Sequence, residues 1–162
     1  MTKSIDFYFD FISPYSYLAY QKIKSINNKI EININYKPIL LGALHKLEGI
    51  TAPALNKHKL KNMKNDCEMV AIKNKIEFQW NIKFPINSLY LMRGYLAIEN
   101  EFKKKYFETC FDAYWKNNMD ISNQENVNKI LEISGINKDK FFENIEDIKI
   151  KEELKQLTDL AF

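Results

Sequence analysis

The chain has 162 residues, of which 46% are hydrophobic and 14% aromatic, so the composition excludes a disordered protein and allows one domain with a sizeable core. The 24 basic and 21 acidic side chains are interleaved and leave a net charge of only +3, which favours a solvated surface and no nucleic-acid partner. No apolar run approaches the roughly 18 residues that a membrane span needs, so we expect no membrane partner either.

Cysteine and histidine are too scattered to suggest a redox pair or a metal site. Cys67 and Cys110 each fall in a predicted helix, which favours buried free thiols over a disulfide. His45 and His58 are solitary and lack metal-ligand spacing, so no metal is expected. The N-terminus leads into the first predicted strand without room for a signal peptide, and these features together favour a cytoplasmic protein.

The chain begins with the pattern of a strand, a helix and a second strand. Residues 5–11 are rich in aromatic and β-branched side chains, which favours a buried strand, and a helix is predicted over 15–23. Apolar and polar residues alternate over 30–36 and predict a second strand, which Pro38 ends. A helical crossover between two strands implies a parallel pair with a right-handed connection.

Nearly everything between the second strand and about Ile145 is predicted to be helical. Glycine, proline and capping residues delimit helices that run approximately over 40–47, 53–76, 89–97, 102–114, 122–135 and 150–161. Ser122 and Glu125 stand in capping-box spacing at the start of one of them. The aromatic stripe of residues 102–114 is interpreted as core and not as a ligand site.

The turn from the first strand into the first helix reads Ser13-Pro14-Tyr15-Ser16, where thioredoxin-like redox proteins carry Cys-x-x-Cys. Disulfide exchange requires a thiolate and a resolving thiol, so we expect no thiol–disulfide oxidoreductase activity. A helix N-terminus still favours an anion, and the turn is therefore suited to stabilise a thiolate of another molecule. A simple N-cap followed by proline explains Ser13 equally well.

Residues 6–19, Asp-Phe-Tyr-Phe-Asp-Phe-Ile-Ser-Pro-Tyr-Ser-Tyr-Leu-Ala, resemble the opening of 2-hydroxychromene-2-carboxylate isomerases. These enzymes are relatives of kappa-class glutathione transferases within the DsbA-like thioredoxin superfamily. The first serine of Ser-Pro-x-Ser contacts the glutathione sulfur in that family, and the resemblance implies the same role for Ser13.

Motifs in the helical part extend the resemblance over essentially the whole chain. Lys59, Met63 and Asp66 match a Lys-x-x-x-Met-x-x-Asp pattern, and residues 84–89 resemble Phe-Pro-x-Asn-Thr-Leu. The resemblance implies that Lys59, Asp66 and Asn87 help to bind glutathione, with the cation on its carboxylates and the acid on its ammonium group. Seven residues separate Lys59 from Asp66, close to two helical turns, so both should share one face. Without the resemblance, both would be interpreted as solvated surface.

Arg93 lies in a Met-Arg-Gly segment that also resembles the family, and it is the only arginine of the chain. Its planar fork suits a bidentate contact that lysine cannot imitate. The partner is either a ligand carboxylate or a buried structural acid, of which the structural role is the safer interpretation.

The chain departs from the family in two places. The family's Gly-Asn-x-x-Pro segment reads Gly49-Ile50-Thr51-Ala52-Pro53 here, so one polar glutathione contact is absent, at a cost of about 1 kcal/mol. The resemblance also implies a cis-proline segment, two antiparallel strands and a helix after residue 161, whereas the chain stops at Phe162. We therefore expect a missing ββα closure and an open sheet edge, which would favour a homo-oligomer or another partner.

The sequence thus predicts an α/β, thioredoxin-like fold with an inserted all-helical domain. Residues 1–39 and 149–162 would form an incomplete thioredoxin-like domain, and residues 40–148 the insertion. The resemblance implies a glutathione-dependent isomerase acting by thiolate addition and elimination on a small aromatic or unsaturated keto acid, with activity open to loss through truncation. A kappa-like glutathione transferase is the near alternative, and a non-catalytic thioredoxin-like remnant or interaction module is the alternative of a different class.

Overall fold

A parallel two-stranded sheet with a helical crossover opens the fold. The computed structural model describes residues 3–27 and 32–162. Strand β1 (Lys3–Phe9), helix α1 (Pro14–Asn27) and strand β2 (Ile32–Pro38) follow one another, and the strands pair in parallel from Lys3 with Ile32 to Phe9 with Pro38. The predicted strand–helix–strand order is confirmed. Of the predicted second strand, residues 30 and 31 lie outside the described part.

The predicted bounds of the first strand are wrong by two residues at each end. The pattern of residues 5–11 suggested a strand reaching Phe11, but β1 stops at Phe9. Asp10 and Phe11 leave the sheet because they form the turn into α1, in which the Ser13 N–H donates to the Asp10 carbonyl at 2.9 Å.

The remaining described chain is mostly helical, as predicted. Seven α-helices follow β2 in the described part: α2 (Leu41–Leu47), α3 (Lys57–Asn74), α4 (Leu89–Ala97), α5 (Asn100–Phe111), α6 (Gln124–Ser134), α7 (Lys138–Asn144) and α8 (Ile148–Leu160). A 3₁₀ turn (Pro53–Leu55) precedes α3, and a π-helical turn (Asp112–Lys116) continues α5. None of the helices in the described ranges has the length and apolar character needed to cross a membrane.

Two helix starts differ from the prediction because asparagine side chains cap them. The helix expected from Pro53 begins only at Lys57, where the Asn56 side chain accepts hydrogen bonds from two first-turn N–H groups. The capping box at Ser122 is also wrong, since Asn123 is the N-cap of α6 and accepts from the Glu125 N–H at 2.8 Å.

Helix α5 carries the centre of the core. Phe107 is 2% exposed and packs edge-on against Phe9 of β1, Tyr20 of α1 and Tyr36 of β2, with ring centroids 4.7–4.8 Å apart. Such edge-to-face pairs contribute about 0.5–1.5 kcal/mol each beyond the burial of their area. The interpretation of the aromatic stripe as core is confirmed. The division into a thioredoxin-like part and a helical insertion stays a prediction, although one core joins them.

The turn between β1 and α1 is held by residues of the helical part. The Trp115 indole, which is fully buried, donates to the Phe11 carbonyl at 2.9 Å. The Phe11 N–H faces the Met92 sulfur at 3.5 Å. Just after β2, the Thr158 hydroxyl of α8 accepts from the Leu40 N–H at 3.0 Å. The first two contacts fix the turn relative to α4 and to the π-helical turn that continues α5, and the third ties the end of β2 to α8.

Gly94 of α4 marks the closest approach within the helical core, and its replacement should destabilise the protein. A Cβ atom at this position would meet the ring of buried Phe141 and would lie 2.7 Å from the Tyr106 hydroxyl. Overpacking of this kind costs about 1–3 kcal/mol, and a gain in helix propensity of at most about 1 kcal/mol offsets it only in part. We expect Gly94→Ala to lower the free energy of unfolding measured in urea.

Gly42 of α2 provides the matched control, since a Cβ there would meet nothing within 4 Å. Gly42→Ala should leave the stability unchanged or raise it by up to about 1 kcal/mol. Equal stabilities of the two variants would show that the contact between α4 and Phe141 relaxes freely.

Candidate functional site

Ser13 is the N-cap of helix α1 and the centre of the candidate site. Its hydroxyl oxygen accepts from the Ser16 N–H at 3.1 Å, and its carbonyl accepts from the Tyr17 N–H at 3.2 Å. The residue is 7% exposed. The local geometry is thus that of the simple cap that the sequence allowed.

This cap still leaves groups that can bind an anion. The Ser13 hydroxyl only accepts in these contacts, so its own hydrogen remains available for donation. Pro14 has no N–H, and Ser13 itself occupies the N–H groups of Ser16 and Tyr17. Neither bond uses the Tyr15 N–H, which lies at the positive end of the helix dipole. A sulfur placed here would meet a hydroxyl, an amide and a favourable dipole, all of which stabilise a thiolate.

Asp10 joins the turn to two other helices and was not singled out by the sequence. Its side chain accepts from the Ile12 N–H at 3.2 Å and from the Leu41 N–H at the start of α2 at 2.9 Å. The Ser88 side chain, at the start of α4, is a third hydrogen-bonding neighbour. Burial raises the pKa of Asp10, and the hydrogen bonds offset only part of that rise. In the sequence, Asp10 could have been recognised as an acidic residue at the end of an apolar strand.

Asn87 lies on the α4 side of the turn. A cavity of about 310 Å³ is lined by Asp10 and Ile12 from the turn, Leu40 and Ala43 from the α2 region, and Asn87 and Leu89. The Asn87 side-chain oxygen accepts from the Leu89 N–H at 3.0 Å, which leaves its amide N–H groups for a ligand. The structure therefore places Asn87 in one cavity with Ile12, the neighbour of Ser13.

Asp66 lies on the α3 side of the turn. Helices α1 and α3 pack together, and the Tyr15 side chain interacts with Asp66 and Cys67. Burial, followed by these two neighbours, raises the pKa of Tyr15 to about 12. Asp66 is half-buried, and Tyr15, two residues after Ser13, is 48% exposed, so the Asp66 carboxylate is accessible beside the first turn of α1.

Lys59 is farther from the turn than Asp66. It lies on the first turn of α3 and is exposed, and seven residues of helix place it about 10 Å from Asp66 along the axis. Within the ranges 3–27 and 32–162, no side-chain contact links Lys59 to Ser13 or Asp66. The shared helix face leaves both charges available to a ligand that spans this distance.

Neither cysteine competes with Ser13 as a reactive group. Cys67 and Cys110 are free and buried, as predicted. Burial raises the pKa of Cys67 to about 12 and raises that of Cys110 further. Both thiols therefore stay protonated near neutral pH and cannot act as the thiolate of a disulfide exchange.

A β-α-β unit that presents a serine cap where a redox cysteine would lie defines a thioredoxin-like protein without its redox pair. The sequence model of the DSBA-like thioredoxin domain matches residues 4–162. The chain belongs to the DSBA-like thioredoxin domain family.

Individual relatives agree with the resemblance drawn from the sequence. The chain is similar to 2-hydroxychromene-2-carboxylate isomerase of Sphingobium xenophagum, with 28% identity over 141 residues, 86% of this chain and 72% of the relative. It is similar to glutathione S-transferase kappa 1 of Homo sapiens, with 24% identity over 99% of this chain and 76% of the relative. The solved structure of a 2-hydroxychromene-2-carboxylate isomerase matches its fold with a TM-score of 0.85 and 24% identity, over 98% of this chain and 78% of that one. The family resemblance and the α/β, thioredoxin-like fold are therefore confirmed.

The buried Asp10 carboxyl should make the free energy of unfolding depend on pH. Since the folded-state pKa lies above the unfolded value of about 3.9, the contribution of Asp10 to stability is fully present below that value. It is lost as the pH rises through the raised folded-state pKa. We expect the wild type to gain stability relative to Asp10→Asn between pH 7 and pH ~4, measured by urea unfolding.

Ser88→Ala serves as the control for this comparison, because it removes a neighbour of Asp10 and keeps the titrating carboxyl. Because the Ser88 hydrogen bond lowers the pKa of Asp10, its loss should raise that pKa further, so this variant should gain at least as much stability as the wild type between pH 7 and pH ~4. Parallel profiles of the wild type and Asp10→Asn would show that Asp10 does not titrate differently in the folded chain.

Proposed function

We propose that this protein is a glutathione-dependent isomerase of the 2-hydroxychromene-2-carboxylate type, with Ser13 as its catalytic residue. One observation carries the proposal: the Ser13 hydroxyl keeps its hydrogen at the N-terminus of α1, in a turn without cysteine. The named relatives, an isomerase of this type and a kappa glutathione transferase, give that geometry its chemical context.

The role of Ser13 is to hold a negative sulfur. Its hydroxyl would donate to the sulfur, and the Tyr15 N–H would provide a second donor on the same helix end. Both groups and the helix dipole lower the pKa of a thiol bound there, so that more of it is ionised near neutral pH. When bound, glutathione would supply a thiolate that adds reversibly to the double bond of an unsaturated keto acid, allowing rotation before it leaves.

The residues on either side of the turn fit the polar ends of such a ligand. Asp66 offers an accessible carboxylate for an ammonium group, and Lys59 offers an exposed ammonium for a carboxylate. Asn87 offers amide donors within the cavity that also contains Asp10. Asp66 and Asn87 thus offer polar groups on the α3 and α4 sides of the turn, and Lys59 offers a charge farther along α3.

A kappa-like glutathione transferase is the second candidate, supported by the match to the human kappa enzyme over 99% of this chain. The same residues would activate the thiol, and the two reactions differ only in the fate of the sulfur. An isomerase returns glutathione unchanged, whereas a transferase consumes it. Following free thiol during turnover of a benzylidenepyruvate therefore separates the two functions.

Replacing Ser13 tests the proposed thiolate site. Ser13→Ala should raise the pKa of bound glutathione by about one pH unit or more, because a hydrogen bond to a charged group contributes about 1.5–3 kcal/mol. The pKa is measured from the ultraviolet absorbance of the thiolate in the complex. Circular dichroism checks folding, since the lost cap costs about 1 kcal/mol.

Ser16→Ala is the matched control, because Ser16 reaches Ser13 through its backbone N–H, which alanine retains. Its complex should titrate like the wild type. Equal pKa values of bound glutathione in the wild type and Ser13→Ala would remove Ser13 from the site.

Replacing Lys59 tests the ligand contact on α3. Lys59→Ala should weaken glutathione binding up to about fivefold, because an exposed ion pair contributes about 0.2–1 kcal/mol. Lys61, an exposed lysine two residues along the same helix, provides the control with the same loss of charge. If both variants bind glutathione equally in calorimetry, Lys59 belongs to the solvated surface.

A further inference from the structure

A second cleft lies between α2, α4 and α8 and has no role in the proposed thiolate site. Its volume is about 590 Å³. The apolar part of its lining includes Leu40, Leu89 and Leu154, and four cations also line it: Lys46, Arg93, Lys151 and Lys155. Asp159 is the acid among the lining residues. An apolar lining with a surplus of positive charge is complementary to an organic anion.

Arg93 is the cation best placed to bind a ligand. Its side chain is only 16% exposed, and within the described part of the chain its Nε has no hydrogen-bond partner. Glu146 approaches one terminal nitrogen at 3.7 Å, too far for a hydrogen bond, and pairs more closely with Lys151 at 2.6 Å. The guanidinium fork is thus largely unused, although a buried N–H without a partner is costly.

The cleft adjoins the cavity beside the Ser13 turn, because the two spaces share lining residues. Leu40, Ala43 and Leu89 line both spaces. An elongated ligand with its anionic end at Arg93 would therefore lie along apolar side chains toward Ile12 and Asn87.

We propose that the cleft binds an organic carboxylate with an aromatic or unsaturated body, whose carboxylate pairs with Arg93 while its body lies on the leucines. The chemistry of the cleft carries the binding itself. That the body then points its reactive end toward Ser13 rests on the proposed function. Glutathione also carries carboxylates, but its polar peptide backbone does not match the leucine lining.

The experiment titrates the protein with trans-cinnamate, an aromatic carboxylate, and with cinnamamide, its neutral analogue. Binding is followed by calorimetry in the absence of glutathione. We expect cinnamamide to bind at least about tenfold more weakly than cinnamate, since a charged bidentate hydrogen bond is lost. Arg93→Gln should weaken cinnamate binding at least about fivefold and leave cinnamamide binding unchanged.

Two further variants distinguish the cleft from general charge. Lys138→Gln removes an exposed charge outside the cleft and should leave cinnamate binding unchanged. Glu146→Gln removes the competing acid and should leave cinnamate binding unchanged or tighten it. If thermal unfolding shows that Arg93→Gln does not fold, the double variant Lys151→Gln, Lys155→Gln replaces it and should weaken cinnamate binding likewise.

Equal binding of cinnamate and cinnamamide, or cinnamate binding that Arg93→Gln leaves intact, would overturn the proposal. A glutathione titration of the wild type and Arg93→Gln tests whether glutathione occupies the cleft. If glutathione competes with cinnamate and Arg93→Gln binds glutathione more weakly, the cleft belongs to glutathione, and the proposal is overturned. The thiol titration with Ser13→Ala does not involve this cleft, so failure here and failure of the proposed function remain distinguishable.

Discussion

The candidate site depends on how the chain leaves its first strand. Once β1 ends, the backbone polar groups of the turn lie under helices, where unpaired groups cost about 1–3 kcal/mol each. The Trp115 indole satisfies the Phe11 carbonyl, and the Asp10 carboxyl satisfies the Ile12 and Leu41 N–H groups. The contacts with Trp115 and Leu41 bind the turn to two segments that are distant in sequence. The position of the Ser13 hydroxyl is therefore a property of the whole core and not of the Ser-Pro-Tyr-Ser segment alone.

The exchange of cysteine for serine changes what a thioredoxin-like turn can do without changing its electrostatics. The helix end and its N–H groups stabilise negative charge whichever side chain precedes them. A cysteine there would itself carry the charge, whereas Ser13 can only donate to a charge brought by a ligand. The two cysteines of the chain are buried with raised pKa values, so no internal thiolate replaces the missing one. The fold thus keeps an anion-stabilising helix end and leaves the choice of anion to a ligand.

Local patterns predicted the elements well, because hydrophobic period and capping chemistry act within a few residues. Both β-strands and the aromatic stripe of α5 follow from such patterns. The errors occur where two local choices are nearly equal, as for Ser122 and Asn123 at the start of α6, or where a strand changes into a turn at Asp10. The site depends on contacts over long separations. Asp10 accepts from the Leu41 N–H and Tyr15 faces Asp66, and no local pattern in a single sequence encodes either pair.

The π-helical turn at residues 112–116 carries a consequence for how this protein can change. A wide turn accommodates one residue more than an α-helical turn, and it holds the Trp115 indole toward the Phe11 carbonyl. Loss of one residue there would restore the regular α-helical hydrogen-bond pattern and displace the Trp115 side chain relative to α5. The Trp115 indole would then be misaligned with the Phe11 carbonyl, and the helical part would lose this hydrogen bond to the turn that carries Ser13. The number of residues in this turn is therefore more constrained than their identity. Point substitutions are easier to accommodate there than the deletion of a single residue.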